Sequence, residues 1–323
     1  MRRIIGISLA GLGAFLIVAA LLLVGYVSGH VVKYPLNEYL KTQLRGTGMT
    51  YFSAPLVREV SGATLLTTST VKGDAAAGNS STAVWDEFNY IYDTTNKQVF
   101  EYTTRRFAFD RRTAQLVNCC AANVNGNSSI RQSGLVGFLW PFGTQQQTYQ
   151  IFDPVLNRPM PAKFAGTSTI DGISVNRYVE TVAPTRAGSE TLPASLVGMT
   201  GTGNVTLPEY YSATNTFWVD PETGAQLNTT QDQKIVLQDS TGAQRLVLID
   251  GTLKFTPQSL QAVVNIDKSA RTKIALLDVV LPLAGGVVGL ILLVIGIVLA
   301  LRGRDDQTED SGETVPEPAL GGR

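Results

Sequence analysis

The sequence predicts a mainly β domain, an antiparallel sandwich or barrel with some flanking helix, between two transmembrane α-helices. Two long runs without charged side chains, one near each end of the 323-residue chain, predict the helices. Between them, short β-branched and aromatic runs alternate with turns rich in Gly, Asp and Asn, which is typical of antiparallel sheets. Hydrophobic residues make up 44% of the chain, which is enough for a substantial core.

The two apolar runs are long enough to cross a membrane. The first covers residues 4–29, and the second covers residues 279–301 within a helix expected at 276–301. A spanning helix needs about 20 apolar residues. A cleaved signal peptide is the alternative for the first run, but its apolar region is only about 7–15 residues long. A buried core helix is the alternative for the second, although such a helix is rarely apolar on every face.

The two helices define the expected organisation of the chain. Positive charges flank the helices on both sides and do not decide the orientation. The central segment is rich in Thr, Asn, Ser, Gly and Gln, which favours a plasma-membrane protein with two passes and an exported centre. The expected segments are a cytoplasmic N-terminus (1–3), the first helix (4–29), an extracytoplasmic β-rich domain (30–273), the second helix (276–301) and a disordered acidic cytoplasmic tail (302–323).

Local patterns predict the elements of the central domain. Helical periodicity is present only at residues 36–44 and 257–267. Residues 183–208 form the longest irregular stretch, and loops of this length are uncommon unless they are functional or mobile. Turns are expected at Asp93 to Lys97, Asp171-Gly172, Asp220 to Gly224, Asp239 to Gly242 and Asp250-Gly251.

The only two cysteines, Cys119 and Cys120, are adjacent. In an exported domain thiols are commonly oxidised. Neighbouring Cα atoms are about 3.8 Å apart, below the usual disulfide range of about 4.4–6.8 Å, so a bond between the two would be strained. A vicinal disulfide that rigidifies a turn is our main hypothesis. A redox-active site, intermolecular bonds and free thiols are the alternatives.

The sequence gives little support to catalysis. The sole histidine, His30, lies at the end of the first predicted helix, far from any nucleophile in the domain sequence. Two adjacent cysteines do not make a zinc site. Asp110, Asp153 and Asp220 stand in turn-like contexts, where Asp usually caps the backbone. We therefore expect no enzyme, cofactor or metal, and the zero net charge argues against nucleic acid as a partner.

The most apolar stretch outside the helices runs from Ser133 to Gly143. Its aromatic residues Phe138, Trp140 and Phe142 alternate, which places them on one face of a strand. One hypothesis is that they and Leu135 line a cavity for an acyl chain, gated by the irregular stretch 183–208. The alternative is an interior strand of the core.

A cluster of arginines, Arg105, Arg106, Arg111 and Arg112, is the densest positive feature of the central domain. Guanidinium groups suit phosphate, so these residues are candidates for contacts with anionic head groups of lipids or glycans. The alternative is an exposed strand end in which the arginines pair with neighbouring carboxylates, Asp110 and Glu101.

The second helix contains the pair Gly285 and Gly289, a spacing that lets another helix approach closely. The most economical partner is the first helix, in which Gly6, Ala10 and Ala14 are also four residues apart. A second copy of the chain is the alternative partner.

Three stretches resemble the actinobacterial PorA-like family, whose members are described as porins or as a domain of unknown function. They are RRFAFDRRTAQLVNCCAAN, GFLWPFGTQQQTYQIFDPVLNRPMPAKFAGTSTIDGISVNRYVE and FWVDPETGAQL. The likeness covers nearly the whole chain. It implies an envelope protein of high-GC Gram-positive bacteria and supplies no catalytic residue. The layout of two anchors is also similar to that of class B scavenger receptors, which carry a lipid tunnel, but this likeness is one of architecture only.

We compare three functional hypotheses. The leading one is a two-pass cell-envelope protein whose β domain binds and presents or transfers a lipid or lipoglycan, with envelope-assembly proteins as partners. The second is a porin-like channel after oligomerisation, since two α-helices cannot enclose a pore and the centre lacks strands with an apolar outer face. The third is a non-catalytic scaffold for envelope biosynthetic enzymes.

Overall fold

The computed structural model describes the backbone of residues 2–308 and the side chains of residues 3–26 and 30–302. The chain divides into two compact units. One contains the terminal segments up to Val32 and from Thr272, and the other, the β unit, is Lys33–Arg271. Residues 309–323, most of the predicted disordered tail, lie outside the described residues.

Helices form at both ends of the described chain. Helix α1 (Arg2–Leu22) is followed by a π-helical turn and by the short α2 (Ser28–Val31). Helix α3 (Pro257–Ala275) runs through a second π-helical turn into α4 (Leu281–Thr308). Two stretches, Arg3–Tyr26 and Pro257–Arg302, are long and apolar enough to span a membrane. The helix predicted at 257–267 is confirmed by α3.

The β unit contains one sheet of twelve strands in the described part of the chain. Its named neighbours pair antiparallel. The order is β5-β4-β3-β2-β1-β12-β11-β10-β9-β8-β7, with β6 also paired to β4. The strands are β1 Tyr39–Ser53, β2 Arg58–Gly73, β3 Thr82–Asp93, β4 Gln98–Asp110, β5 Leu116–Val117, β6 Asn123–Val124, β7 Tyr149–Asp153, β8 Arg158–Ile170, β9 Ile173–Pro193, β10 Asn204–Val219, β11 Gln226–Gln238 and β12 Gln244–Phe255.

The sheet curls into a half-barrel whose two edges meet at Leu135. This residue bridges antiparallel to Gln115, next to β5, and parallel to Ile151 in β7. The Leu135 N–H donates to the Gln150 carbonyl at 2.7 Å, and the Phe152 N–H donates to the Leu135 carbonyl at 3.0 Å. A short irregular segment therefore supplies hydrogen bonds to an edge that would otherwise lack them.

The core confirms the curvature of the sheet. Trp85 of β3 and Phe107 of β4 belong to the same buried cluster as Tyr178 of β9 and Phe217 of β10. These strand pairs lie far apart in the sheet order, so their side chains meet only if one face of the sheet turns inward. We call the face that carries these residues the inner face.

Helix α3 covers part of the opposite, outer face. Its buried residues Val263 and Val264 pack with Val175 of β9 and Leu227 of β11. Its remaining surface is polar, as expected of a helix that buries one stripe. The predicted antiparallel fold is thus confirmed as a half-barrel with flanking helix.

The helix predicted at residues 36–44 is wrong. From Tyr39 onward this stretch is part of β1, which pairs with β2 on one side and β12 on the other. A nine-residue helical pattern is a weak preference, and hydrogen bonding along both sides of a central strand overrides it.

The predicted irregular stretch at 183–208 is largely strand. Strand β9 continues to Pro193 and pairs with β10 from Asn204 onward, so that only residues 194–203 connect them. Val197 of this connection is buried in an apolar cluster with Leu207. Polar residues on both faces and two register shifts hide the strands in the sequence. A gate formed by the whole stretch is therefore not supported.

Four of the five predicted turns are confirmed, and the one at Asp250-Gly251 is wrong. Both residues lie inside β12. Gly251 has φ +138°, and a Cβ there would lie 2.5 Å from the Met49 sulfur. This glycine makes room for a buried side chain of β1 rather than for a turn.

Candidate functional site

Polar residues occupy part of the inner face away from its aromatic core, beside a second apolar cluster that includes Leu44, Leu65 and Leu253. Trp85 pairs with Phe107, so every second residue along β3 and β4 shares their face. The same alternation on β10 and β11 starts from Phe217, which pairs with Thr229. These positions define the polar inner face, which consists of Glu87, Asn89, Glu101, Thr103, Glu209, Gln231 and Gln233.

Two carboxyl groups of the polar inner face interact across the interior. Glu101 of β4 and Glu209 of β10 are separated by five strands in the sheet order. Burial raises the pKa of Glu209, and the charges of Glu190 and Glu101 raise it further. Surrounding protein also raises the pKa of Glu101, although this residue is exposed to water. Acidic groups of β4 and β10 thus lie on the inner face of the curved sheet, where Glu101 is accessible to water.

A further acidic residue of the inner face is buried more deeply. Glu180 of β9 is 3% exposed and accepts a hydrogen bond from the Asn215 side-chain amide at 2.7 Å. Its other carboxyl oxygen has no hydrogen-bond partner among the residues that the structure describes. Burial raises the pKa of Glu180 from 4.5 to about 7, against the effect of Asn215, and the charge of Asp153 raises it further.

Replacing Glu180 by glutamine is expected to stabilise the protein at pH 8 but not at pH 5. The folded state binds the Glu180 proton more tightly than the unfolded state does. The contribution of this proton to the free energy of unfolding is therefore fully present below pH 4.5 and is lost as the pH rises through 7. The loss is about 1–3 kcal/mol. Thermal unfolding of the full chain in detergent micelles, followed by circular dichroism, checks this. Equal pH dependence in both proteins would contradict it.

The predicted cavity residues lie in packed core. Leu135 and Trp140 are fully buried, and Phe138 and Phe142 are partly buried against the same cluster. The Trp140 ring stacks on Tyr178 with centroids 4.4 Å apart. The stretch is not a strand but a series of bends and isolated bridges. Its aromatic residues fill the end of the half-barrel.

Arg105 and Arg106 lie on opposite faces of β4. Arg105 is buried, with its Nε donating to the Gln132 side chain at 2.8 Å and its Nη1 3.8 Å from a Glu87 carboxyl oxygen. Arg106 lies on the outer face and pairs with Asp74 at 2.7 Å and Asp86 at 2.8 Å. The structure therefore assigns both guanidinium groups to internal contacts rather than to a shared head-group site.

The other two predicted arginines flank the turn after β4. The Arg111 Nε donates to the Tyr34 carbonyl at 2.6 Å. The backbone N–H of Arg112 donates to the Asp110 carboxylate at 2.9 Å, and the charge of Arg112 helps to lower the Asp110 pKa. The Arg105 and Arg106 guanidinium groups thus pair with Glu87, Asp74 and Asp86 rather than with the expected Asp110 and Glu101.

The three turn aspartates cap backbone turns, as predicted. Asp110 accepts from the N–H groups that follow it, and Asp153 accepts from those of Val155 at 2.8 Å and Leu156 at 2.9 Å. Asp220 accepts from the Glu222 N–H at 2.9 Å. These contacts use the carboxylates for local structure.

Cys119 and Cys120 are disulfide-bonded in the structure, with Cα atoms 3.8 Å apart. Cys120 has φ +62° and the following Ala121 has φ +60°. Two consecutive residues other than glycine in the left-handed region mark a tight, strained turn. The Arg106 Nε donates to the Cys120 carbonyl at 3.0 Å and fastens this turn to β4.

Helices α1 and α4 pack through small residues. A Cβ added to Gly289 would lie 2.8 Å from the Gly13 carbonyl oxygen and 3.1 Å from the Ile17 nitrogen. A Cβ on Gly285 would lie 3.8 Å from the Ala20 Cβ. The predicted glycine pair therefore faces the first helix of the same chain.

Of the residues predicted on the first helix, Gly6 and Ala10 contact α4, and only Ala14 does not. Ala14 is exposed, whereas its neighbour Gly13 is buried against α4. Gly296 was missed as well, although the backbones of α1 and α4 meet there at Gly6. The spacing of small residues along each helix is the sequence feature from which Gly13 and Gly296 could have been predicted.

The acidic residues of the polar inner face were not among the predicted site residues. No sequence motif marks them, because they share a face only through the way in which β3, β4, β10 and β11 pair in the sheet. A bulge at Phe100 interrupts the alternation only at the start of β4, between the pairs Ile91–Glu101 and Tyr92–Val99. Counted from Phe107, alternation places Glu101 on the inner face, but which face of β4 turns inward depends on the curvature of the whole sheet.

Comparison with known proteins gives one family. A family model described as Porin PorA matches residues 5–298. A Porin PorA of Corynebacterium resistens is 23% identical over an aligned length of 281, and the match covers 67% of this chain and 68% of the relative. A Porin PorA of Corynebacterium amycolatum is 25% identical over an aligned length of 202, and the match covers 50% of this chain and 52% of the relative. With the two apolar helices, these matches support a membrane location.

Proposed function

Since the chain belongs to the porin PorA family, we propose that it is a two-pass cell-envelope protein with a porin-like function. In this proposal hydrophilic solutes, and cations in particular, pass along the polar inner face of the β unit. Helices α1 and α4 anchor the chain in the membrane.

The polar inner face is the observation that carries this proposal. Carboxylate, amide and hydroxyl groups offer hydrogen bonds to water and to hydrated solutes, but not to an acyl chain. Glu87, Glu101 and Glu209 outweigh Arg105, the cation beside them on the inner face, whose Nη1 lies 3.8 Å from a Glu87 carboxyl oxygen. The excess negative charge favours cations over anions.

The anchors restrict how a pathway can form. Along α1 and α4 the exposed side chains are apolar, such as Phe15, Leu21 and Leu290, so these helices contact lipid rather than water. The outer face of the sheet is polar, with charged residues such as Lys234 and Asp250. A continuous pathway therefore requires several copies of the chain, as in the oligomer hypothesis.

A lipid or lipoglycan ligand has less support. That hypothesis requires an apolar cavity, but each aromatic residue proposed to line it packs on other rings. Trp140 contacts Tyr149, Tyr178 and Phe217, Phe138 contacts Trp85 and Phe107, and Phe142 contacts Tyr34. A second apolar cluster of the inner face, which includes Leu44, Leu65 and Leu253, is buried and packed as well. We therefore favour the porin-like function over lipid transfer.

Conductance of the purified full-length protein tests the proposal. In planar lipid bilayers we expect stepwise currents whose frequency rises more steeply than in proportion to protein concentration, because several copies must assemble. Protein unfolded before addition serves as the control. Folded, membrane-inserted protein that gives no current at any concentration would overturn the porin-like function.

A further inference from the structure

An open pocket of about 470 Å³ lies beside the disulfide. It is lined by residues 118–122 and 128–131, two stretches of the loop that surrounds β6. Arg106, which holds the Cys120 carbonyl, belongs to the outer face of β4. The pocket therefore lies outside the polar inner face, although the neighbouring Gln132 accepts a hydrogen bond from Arg105 of the inner face at 2.8 Å.

The walls of this pocket are braced. The Asn118 side-chain amide donates to the Gln132 carbonyl at 2.8 Å, and the Gln132 N–H donates back to the Asn118 side chain at 2.9 Å. Cys120 and Ala121, whose backbone is in the left-handed region, form the strained turn of the same loop. Strain of this kind persists where the surrounding structure imposes it. The pocket is thus preformed.

Arg131 is the single charged side chain that lines the pocket. It is exposed, and no hydrogen bond or ion pair engages its guanidinium group within the described residues. In contrast, the guanidinium groups of Arg105 and Arg106 are held by carboxylates. A free guanidinium at the edge of a preformed pocket is suited to a phosphate or carboxylate.

We propose that this pocket binds a sugar unit that carries a phosphate or carboxylate group. Arg131 binds the anionic group. The disulfide, together with Ala121, Ala122 and Ile130, provides an apolar surface for the C–H face of the sugar ring, while Ser128 offers a hydroxyl to the sugar. A volume of about 470 Å³ lies within the usual range for small-ligand sites.

Binding of glucose 1-phosphate to the full-length protein in detergent micelles tests this site. Saturation-transfer NMR is expected to show binding that Arg131→Gln weakens at least tenfold. Arg58→Gln, the matched control, replaces an exposed arginine at the start of β2 and is expected to have no effect. Glucose and inorganic phosphate alone are each expected to bind at least tenfold more weakly than glucose 1-phosphate, because each lacks one half of the contacts.

A second experiment distinguishes a lipid head group from a free phosphate compound as the ligand. Nanodiscs that contain phosphatidylinositol present it as a lipid head group, and soluble inositol 1-phosphate presents it free. Arg131-dependent binding of either supports the site and identifies the source. Binding that Arg131→Gln leaves unchanged would overturn the proposal. So would the absence of binding to glucose 1-phosphate, to inositol 1-phosphate and to the phosphatidylinositol nanodiscs.

Discussion

Replacement of Trp140 by alanine is expected to destabilise the β unit by about 3–5 kcal/mol, because it removes a large, fully buried side chain and leaves a cavity. The Trp140 ring centroid is 4.4 Å from that of Tyr178, 5.5 Å from that of Tyr149 and 5.9 Å from that of Phe217. Chemical unfolding of the full chain in detergent micelles, followed by circular dichroism, measures the change in the free energy of unfolding.

Phe88→Ala is the matched control for this experiment. Phe88 lies in β3 with 45% of its surface exposed, so its loss is expected to change the free energy of unfolding by no more than about 0.5 kcal/mol. A Trp140→Ala protein as stable as Phe88→Ala would show that Trp140 lines a space rather than a packed core. That result would restore the acyl-chain cavity as a hypothesis.

Replacement of Gly289 by isoleucine is expected to separate α1 from α4. A Cβ at this position meets the backbone of α1 at Gly13 and Ile17, which cannot move aside as a side chain can. Helix pairs in lipid are held mainly by close packing, so little else compensates for the lost contact. Spin labels on exposed Ile7 and Leu290 report the separation, because their distance distribution should broaden and shift to longer values.

Gly286→Ile provides the control for the helix contact. A Cβ on Gly286 meets nothing within 4 Å, so the same substitution three residues away should leave the distance distribution unchanged. Equal distributions in the unsubstituted protein and in Gly289→Ile would show that the glycine seam does not hold the helices together.

The sequence predicts those parts of the fold that local chemistry determines. The turn at Asp171-Gly172 was predictable because its two residues adopt positive φ, as tight hairpins require, and Asp and Gly tolerate it best. The turns capped by Asp110, Asp153 and Asp220 follow from the ability of this side chain to accept from nearby N–H groups. The glycines of α4 were also recognisable from their spacing.

The candidate site depends on long-range register and was not predictable in this way. Arg105 and Arg106 are adjacent in the sequence, but alternation along β4 sends one into the interior and the other to the outer face. Glu101 and Glu209 come together only when the sheet curls. The closure at Leu135, which fixes that curvature, arises from isolated bridges that no local pattern announces.

The reversal potential of the current in a tenfold potassium chloride gradient tests the porin-like account most directly. We predict preference for potassium over chloride, and a shift of the reversal potential towards zero in the double variant Glu101→Gln, Glu209→Gln. Asp232→Asn removes a carboxylate from the exposed outer face of β11 and should leave the potential unchanged. A current with the same selectivity in all three proteins would contradict passage of ions along the polar inner face.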